Sequence, residues 1–283
     1  MGKIERFPLP FRYFVCAAFV LFWMLVHFEL KLSPLAGQYV GLPLILGFQL
    51  AIARRRFWNL WAFDALRFRL RKPYLILAVA LLAFAVILVS FASTRVLAGT
   101  GQRFELCTLV AFGVWPASFA LQEQDKANLR RALPWMVAAI GFGVIWRVAW
   151  TMASVMRPPH FSFWRTEDLL AMWLSEFIGL FLFDEVAFRG ALDPYLRGSE
   201  SGKVHPWFSA VFIGALWALW HLPVYNRAAT TFPGLFTQVV RPFYLMVMIN
   251  GFFFAFTARR SRTLVPSAAL HALGNAYLMS TQF

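Results

Sequence analysis

Residues 168–192 read DLLAMWLSEFIGLFLFDEVAFRGAL. A stretch this long and this apolar is read as a helix that crosses a membrane. It nevertheless holds Glu176, Asp184, Glu185 and Arg189. Ionisable groups inside a bilayer are costly, and they are hypotheses of function by default. Glu185 and Arg189 stand four residues apart with the acid first, the favourable order for a helical ion pair. Asp184 projects about 100° away from Glu185 around a helix. One arginine can neutralise one of the two acids, which leaves the other available for chemistry.

The rest of the chain repeats the apolar pattern. Further runs lie near 11–30, 38–53, 73–92, 104–121, 133–155, 207–225, 241–258 and 263–281. Hydrophobic residues make up 60% of the 283 and charged residues 14%, against about 45–50% and about 25% in soluble domains. With 32 Phe and 12 Trp, these values exclude a soluble enzyme, a disordered chain and a single-anchor protein. The runs are continuously apolar, whereas strands of a membrane β-barrel alternate. The expected fold is therefore all-α: a polytopic transmembrane helix bundle of about eight or nine spans, with any active-site cavity inside the membrane. It reads as one integrated membrane domain, with N-terminal helices over 1–160 and a catalytic helical core over 161–283. The two cysteines, Cys16 and Cys107, sit in apolar runs and form neither a disulfide framework nor a metal pair.

The net charge of +14 is assigned to loops facing anionic lipid, not to nucleic acid. With the N-terminus inside, eighteen of the 27 basic residues fall in inside loops and seven in outside loops. The expected topology is N-terminus inside and C-terminus outside in a cytoplasmic membrane, the first span being a retained signal anchor. The segment 54–72, RRRFWNLWAFDALRFRLRK, mixes seven basic residues with Trp58, Trp61, Leu66 and Leu70. It is expected to be a helix lying in the interface on anionic lipid.

Two further polar places interrupt apolar helices. In ALWALWHLPVY, His221 follows Trp217 by one turn and precedes Pro223 by two residues. In VPSAALHALGNAY, His271 and Asn275 share one helix face. Arg147 and Glu176 lack such a setting and are expected to be structural partners. An acid pair, a histidine and a His–Asn pair on three spans supply a base for water, a proton donor and a stabiliser for a tetrahedral oxyanion. No G-x-S-x-G and no H-E-x-x-H is present, so water activated by an acid is favoured over a serine nucleophile.

The motifs DEVAFRG, WALWH and HALGN, in this order on successive helices, resemble the CPBP (Abi) intramembrane proteases, which include the CAAX prenyl endopeptidases. The resemblance covers about residues 167–281. It implies an endopeptidase acting on a membrane-embedded peptide or protein. By position it implies Asp184 as activator of water, with Glu185 and His221 beside it in the catalytic set and His271 with Asn275 as the oxyanion-side pair. Arg189 and Trp217 are in supporting roles. Whether a divalent metal such as zinc takes part is open in that family; its ligands here would be His221, His271 and Glu185. Two positions depart from the pattern. Trp217 replaces Phe. Asp184 replaces Glu and so falls short by one methylene, about 1.3 Å, where a 1 Å misplacement can lower a rate about 10²-fold. The alternative is a catalytically silent membrane scaffold of the same fold. A transporter would need broken helices in two related halves, and no such symmetry is visible. For Asp184 and His221 to meet at one depth, the first motif helix has to continue past Pro194 to about Leu196.

Overall fold

The computed structural model describes residues 8–32, 34–91, 100–153, 166–181, 183–197, 205–226, 229–239 and 241–280. Helices follow the apolar runs in order: α1 (Leu9–Glu29), α2 (Pro34–Gly47), α3 (Lys72–Phe91), α4 (Thr100–Gln122), α5 (Lys126–Ala153), α6 (Thr166–Gly179), α7 (Asp193–Arg197), α8 (Pro206–Trp220), the short α9 (Leu222–Tyr225) and α10 (Phe232–Leu235), α11 (Pro242–Ser261) and α12 (Val265–Ser280). The fold is the expected all-α bundle. Among the described residues the extended pairing is an isolated bridge between Ala62 and Thr263. Four stretches are long and apolar enough to cross a membrane: Leu9–Glu29, Lys126–Trp146, Pro206–Val224 and Pro242–Ser261.

The run 168–192 is not one continuous helix. α6 ends at Gly179, and the chain re-enters helix at Asp184 and widens into a π-helical segment, Val186–Leu192, which leads into α7. π-Helical turns are rare and concentrate at functional sites. Pro194 falls in the first turn of α7, where a missing N–H matters least. The helical path therefore does extend past Pro194, as far as Arg197.

Segment 54–72 differs from the interfacial helix expected of it. Apart from a 3-10 turn at Phe57–Leu60 it is irregular. Part of its apolar surface is turned into the protein: Leu60, Trp61 and Ala62 are buried, while Phe57, Leu66 and Phe68 are exposed. The Trp61 indole N–H donates to the Phe181 carbonyl at 2.7 Å, at the break after α6. Leu60 lies so close to Gly190 that a Cβ there would collide with the Leu60 carbonyl. A helix would have needed one apolar face. Here the tryptophans serve several directions at once, which a compact loop allows and a straight helix does not.

The loops rich in basic residues meet at one end of the bundle. The Leu264 N–H donates to the Trp61 carbonyl and the Phe63 N–H to the Arg262 carbonyl, each at 3.1 Å. Gln122 exchanges hydrogen bonds with the backbone of Arg69 and Arg71. Gln124 accepts from the Thr263 hydroxyl. At the same end Asp193, fully buried, binds Arg197 at 3.0 Å and also Arg259. α8 and α11 approach closely through two glycines: a Cβ on Gly251 would stand 2.8 Å from the Gly214 Cα. Small residues permit such backbone contact between helices in a bilayer.

Candidate active site

Trp217, near the end of α8, lies at the centre of the polar groups. Its ring meets His221 edge-on at 5.0 Å between centroids and His271 at 4.9 Å. The Arg189 guanidinium carbon stands 4.4 Å from its ring centre, within the range of a cation–π contact. One indole thus joins the second-motif histidine, the third-motif histidine and the first-motif arginine, more than the supporting role expected of it.

The two adjacent carboxylates have different surroundings. Glu185 is fully buried. Its Oε1 lies 3.4 Å from Arg189 Nη1 and accepts from His271 Nδ1 at 3.1 Å. Arg189 also donates to the Gly251 carbonyl at 3.4 Å, which ties the π-helical segment to α11. Asp184 is partly exposed and makes no hydrogen bond or ion pair among the described residues. It lies within electrostatic reach of His271, Glu185, Glu176 and Arg189. The expected division is therefore present: Arg189 takes one acid, and the other is left without a partner.

Hydrogen bonding fixes the histidine tautomers. His221 Nδ1 is 2.7 Å from the Trp217 carbonyl oxygen, which can only accept, so Nδ1 carries the proton and Nε2 is an acceptor. His271 Nδ1 faces the Glu185 carboxylate in the same way, the arrangement in which a carboxylate orients an imidazole.

A cavity of about 50 Å³ is lined by His221, His271, Asn275 and Asn250, with Trp217, Phe243, Met246, Val247 and Phe254 as its apolar wall. Three of the five expected catalytic residues line it directly. Glu185 reaches it through His271, and Asp184 is not among its lining residues. Two features differ from the sequence reading. Glu176 holds Asn275, whose Nδ2 donates to its Oε2 at 3.0 Å; the Arg147 side chain, its expected partner, lies outside the described residues. Asn250 on α11 faces the same cavity and was not singled out. The signal for it was available, since an amide in the apolar run 241–258 carries the same cost that marked the acids.

Among the described residues no three His, Cys, Asp or Glu side chains form a group that could hold an ion. Glu185 spends one oxygen on His271 and Arg189, so it supports a histidine instead of sharing a ligand sphere with it. The set His221, His271 and Glu185 does not fit a metal in this arrangement.

Residues 166–277 match the family described as type II CAAX prenyl endopeptidase Rce1-like. This stretch runs from α6 to α12 and contains all three motifs. The match agrees with the resemblance of the motifs and, together with the apolar helices, indicates an integral membrane protein. No curated protein and no solved structure matches the chain.

Proposed function

We propose that this protein is an intramembrane endopeptidase of the CAAX-protease type that hydrolyses a peptide bond of a membrane-anchored peptide or protein with a water activated by Asp184. The observation that carries the reading is the unequal state of the two acids. Glu185 is locked by Arg189 and His271, while Asp184 beside it has no partner among the described residues. A general base for water must be reachable by water: Asp184 is partly exposed, whereas Glu185 is fully buried and paired through Oε1 with Arg189 and His271.

In this reading water attacks the scissile carbonyl carbon as Asp184 takes one of its protons. His221, with its acceptor Nε2, takes part in aiming the water. Glu185 holds His271 in its tautomer and orientation. As the C–N bond breaks, the proton passes from Asp184 to the leaving amine, so the acid returns to its starting state. The apolar cavity wall limits water and suits an aliphatic side chain. The N-terminus inside, and the clustered basic loops facing anionic lipid of the inner leaflet, belong to the same proposal.

The test is cleavage of a farnesylated peptide ending in Cys-aliphatic-aliphatic-Xaa by the protein in proteoliposomes. Asp184→Asn is expected to abolish turnover, because an amide takes no proton. Asp184→Glu is expected to raise kcat by up to about 10²-fold, since it adds about the 1.3 Å that the shorter side chain lacks. Glu185→Gln is expected to reduce activity less than Asp184→Asn. If the amide at 185 is inactive and the amide at 184 active, the roles of the acids are reversed. If neither amide alters a function that the wild type performs, the protein is a scaffold and not a protease.

A further inference from the structure

Resting on that reading, the oxyanion that forms on the scissile carbonyl needs a donor, and the two amides of the cavity are not equally able to supply it. Asn275, the residue of the HALGN motif, turns its Nδ2 to the Glu176 carboxylate at 3.0 Å. A carboxylate accepts only, so the orientation of that amide is settled, and one of its two N–H donors is already engaged. Asn250 lines the same cavity from α11. It makes no hydrogen bond among the described residues, although an amide with nothing to bind is costly in a membrane helix.

The backbone beside Asn250 is held in place. The next residue, Gly251, accepts from Arg189 through its carbonyl, and its Cα side lies against Gly214 and the Trp217 ring. Asn250 is thus fixed relative to the helix that carries Asp184 and Glu185 and to the α8 end that carries His221. Donors held in place before charge develops are the efficient form of oxyanion stabilisation. A second donor stands nearby: the Trp217 indole N–H is buried without an acceptor, and Trp217 lines the cavity.

We infer that Asn250 is a catalytic residue, a side-chain donor that from the α11 side of the cavity binds the scissile carbonyl oxygen and the oxyanion formed from it. No proton moves in this step. The Asn250 N–H bond stays intact, and its hydrogen bond strengthens as the carbonyl oxygen gains negative charge.

The experiment compares wild type with Asn250→Leu, which keeps the volume and removes the donor, in proteoliposomes with the farnesylated peptide. A second measurement is binding, by tryptophan fluorescence, of a farnesyl-cysteinyl peptide aldehyde, whose hydrate mimics the tetrahedral species, against the corresponding alcohol. The expected result is a fall in kcat of about 10²–10³-fold, with KM within about twofold, and loss of the aldehyde preference. Thermal unfolding checks that the variant folds. If Asn250→Leu does not fold, Asn250→Ala, which removes the donor without adding bulk or a titratable group, replaces it. Unchanged kcat, or lost kcat with the aldehyde preference intact, overturns the role of Asn250 and leaves the protease reading standing. A wild type that neither cleaves the peptide nor prefers the aldehyde overturns the protease reading and this inference with it.

Discussion

Replacing Arg189 by methionine separates a structural from a substrate-binding arginine. Arg189 is fully buried. It pairs with Glu185 at 3.4 Å, donates to the Gly251 carbonyl at 3.4 Å and stacks over Trp217 at 4.4 Å. Methionine fills much of the same space but leaves the Glu185 charge buried without its guanidinium, against His271 Nδ1. Removing one member of a buried ion pair costs about 3–5 kcal/mol. At about 2–4 °C per kcal/mol for a chain of roughly this size, the unfolding midpoint should drop by about 6–20 °C. Folding stabilities total only about 5–15 kcal/mol, so expression should fall as well. The double variant Glu185→Leu with Arg189→Met removes both charges, and such replacements are neutral or stabilising by about 1–4 kcal/mol. Its midpoint should return to that of the wild type or exceed it. The double variant should be inactive, because His271 loses the carboxylate that orients it, and Arg189→Met should lose activity along with stability, because Glu185 loses the guanidinium that holds it. Thermal unfolding in detergent, followed by tryptophan fluorescence, reads the first quantity, and peptide cleavage reads the second. An Arg189→Met protein with an unchanged midpoint and no activity would refute the reasoning and make Arg189 a substrate ligand.

Two further substitutions test how the motif helix is seated. Gly190→Ala would drive a Cβ into the Leu60 backbone carbonyl and should destabilise by about 1–3 kcal/mol; an unchanged unfolding midpoint would mean that segment 54–72 is not packed against the π-helical turn. Asp193→Asn leaves the Arg197 and Arg259 guanidinium groups without their shared buried acid and should cost about 3 kcal/mol, seen as a lower midpoint; no shift would show that the basic end of the bundle is held by other contacts.

The helices were legible because the signal is large: each apolar run outlasts any soluble segment, and a bilayer admits little but helix. The motif residues were legible for the same reason, since Asp184, Glu185, Arg189, His221, His271 and Asn275 stand in surroundings where ordinary residues are apolar. What the pattern did not carry is anything decided by contact between distant segments. The break after Gly179 occurs within a run that hydropathy reads as continuous. The form of segment 54–72 depends on where Trp61 finds an acceptor, and that acceptor, the Phe181 carbonyl, is 120 positions away in sequence. Asn250 has no motif around it, and only its approach to His221 and His271 across the cavity distinguishes it from a helix-packing amide.

The break in the motif helix also bears on how two adjacent acids come to have separate roles. On an unbroken helix, residues 184 and 185 would both be flanked by the preceding turn and would differ only by rotation about the axis. Here helix begins again at Asp184, so Asp184 stands at an end, partly exposed, while Glu185 opens the π-helical segment and is fully buried. The wider turn then carries Arg189 back toward Glu185 and across Trp217 to the Gly251 carbonyl. Burial of Glu185 is tolerable because Arg189 and His271 both face it. Exposure of Asp184 is useful because a base for water must be reachable by water. One local change in helical pitch therefore produces a supported carboxylate and an available one from two neighbouring residues. The shortness of the Asp184 side chain is then a question of reach alone, set by where the restarted helix puts its first residue.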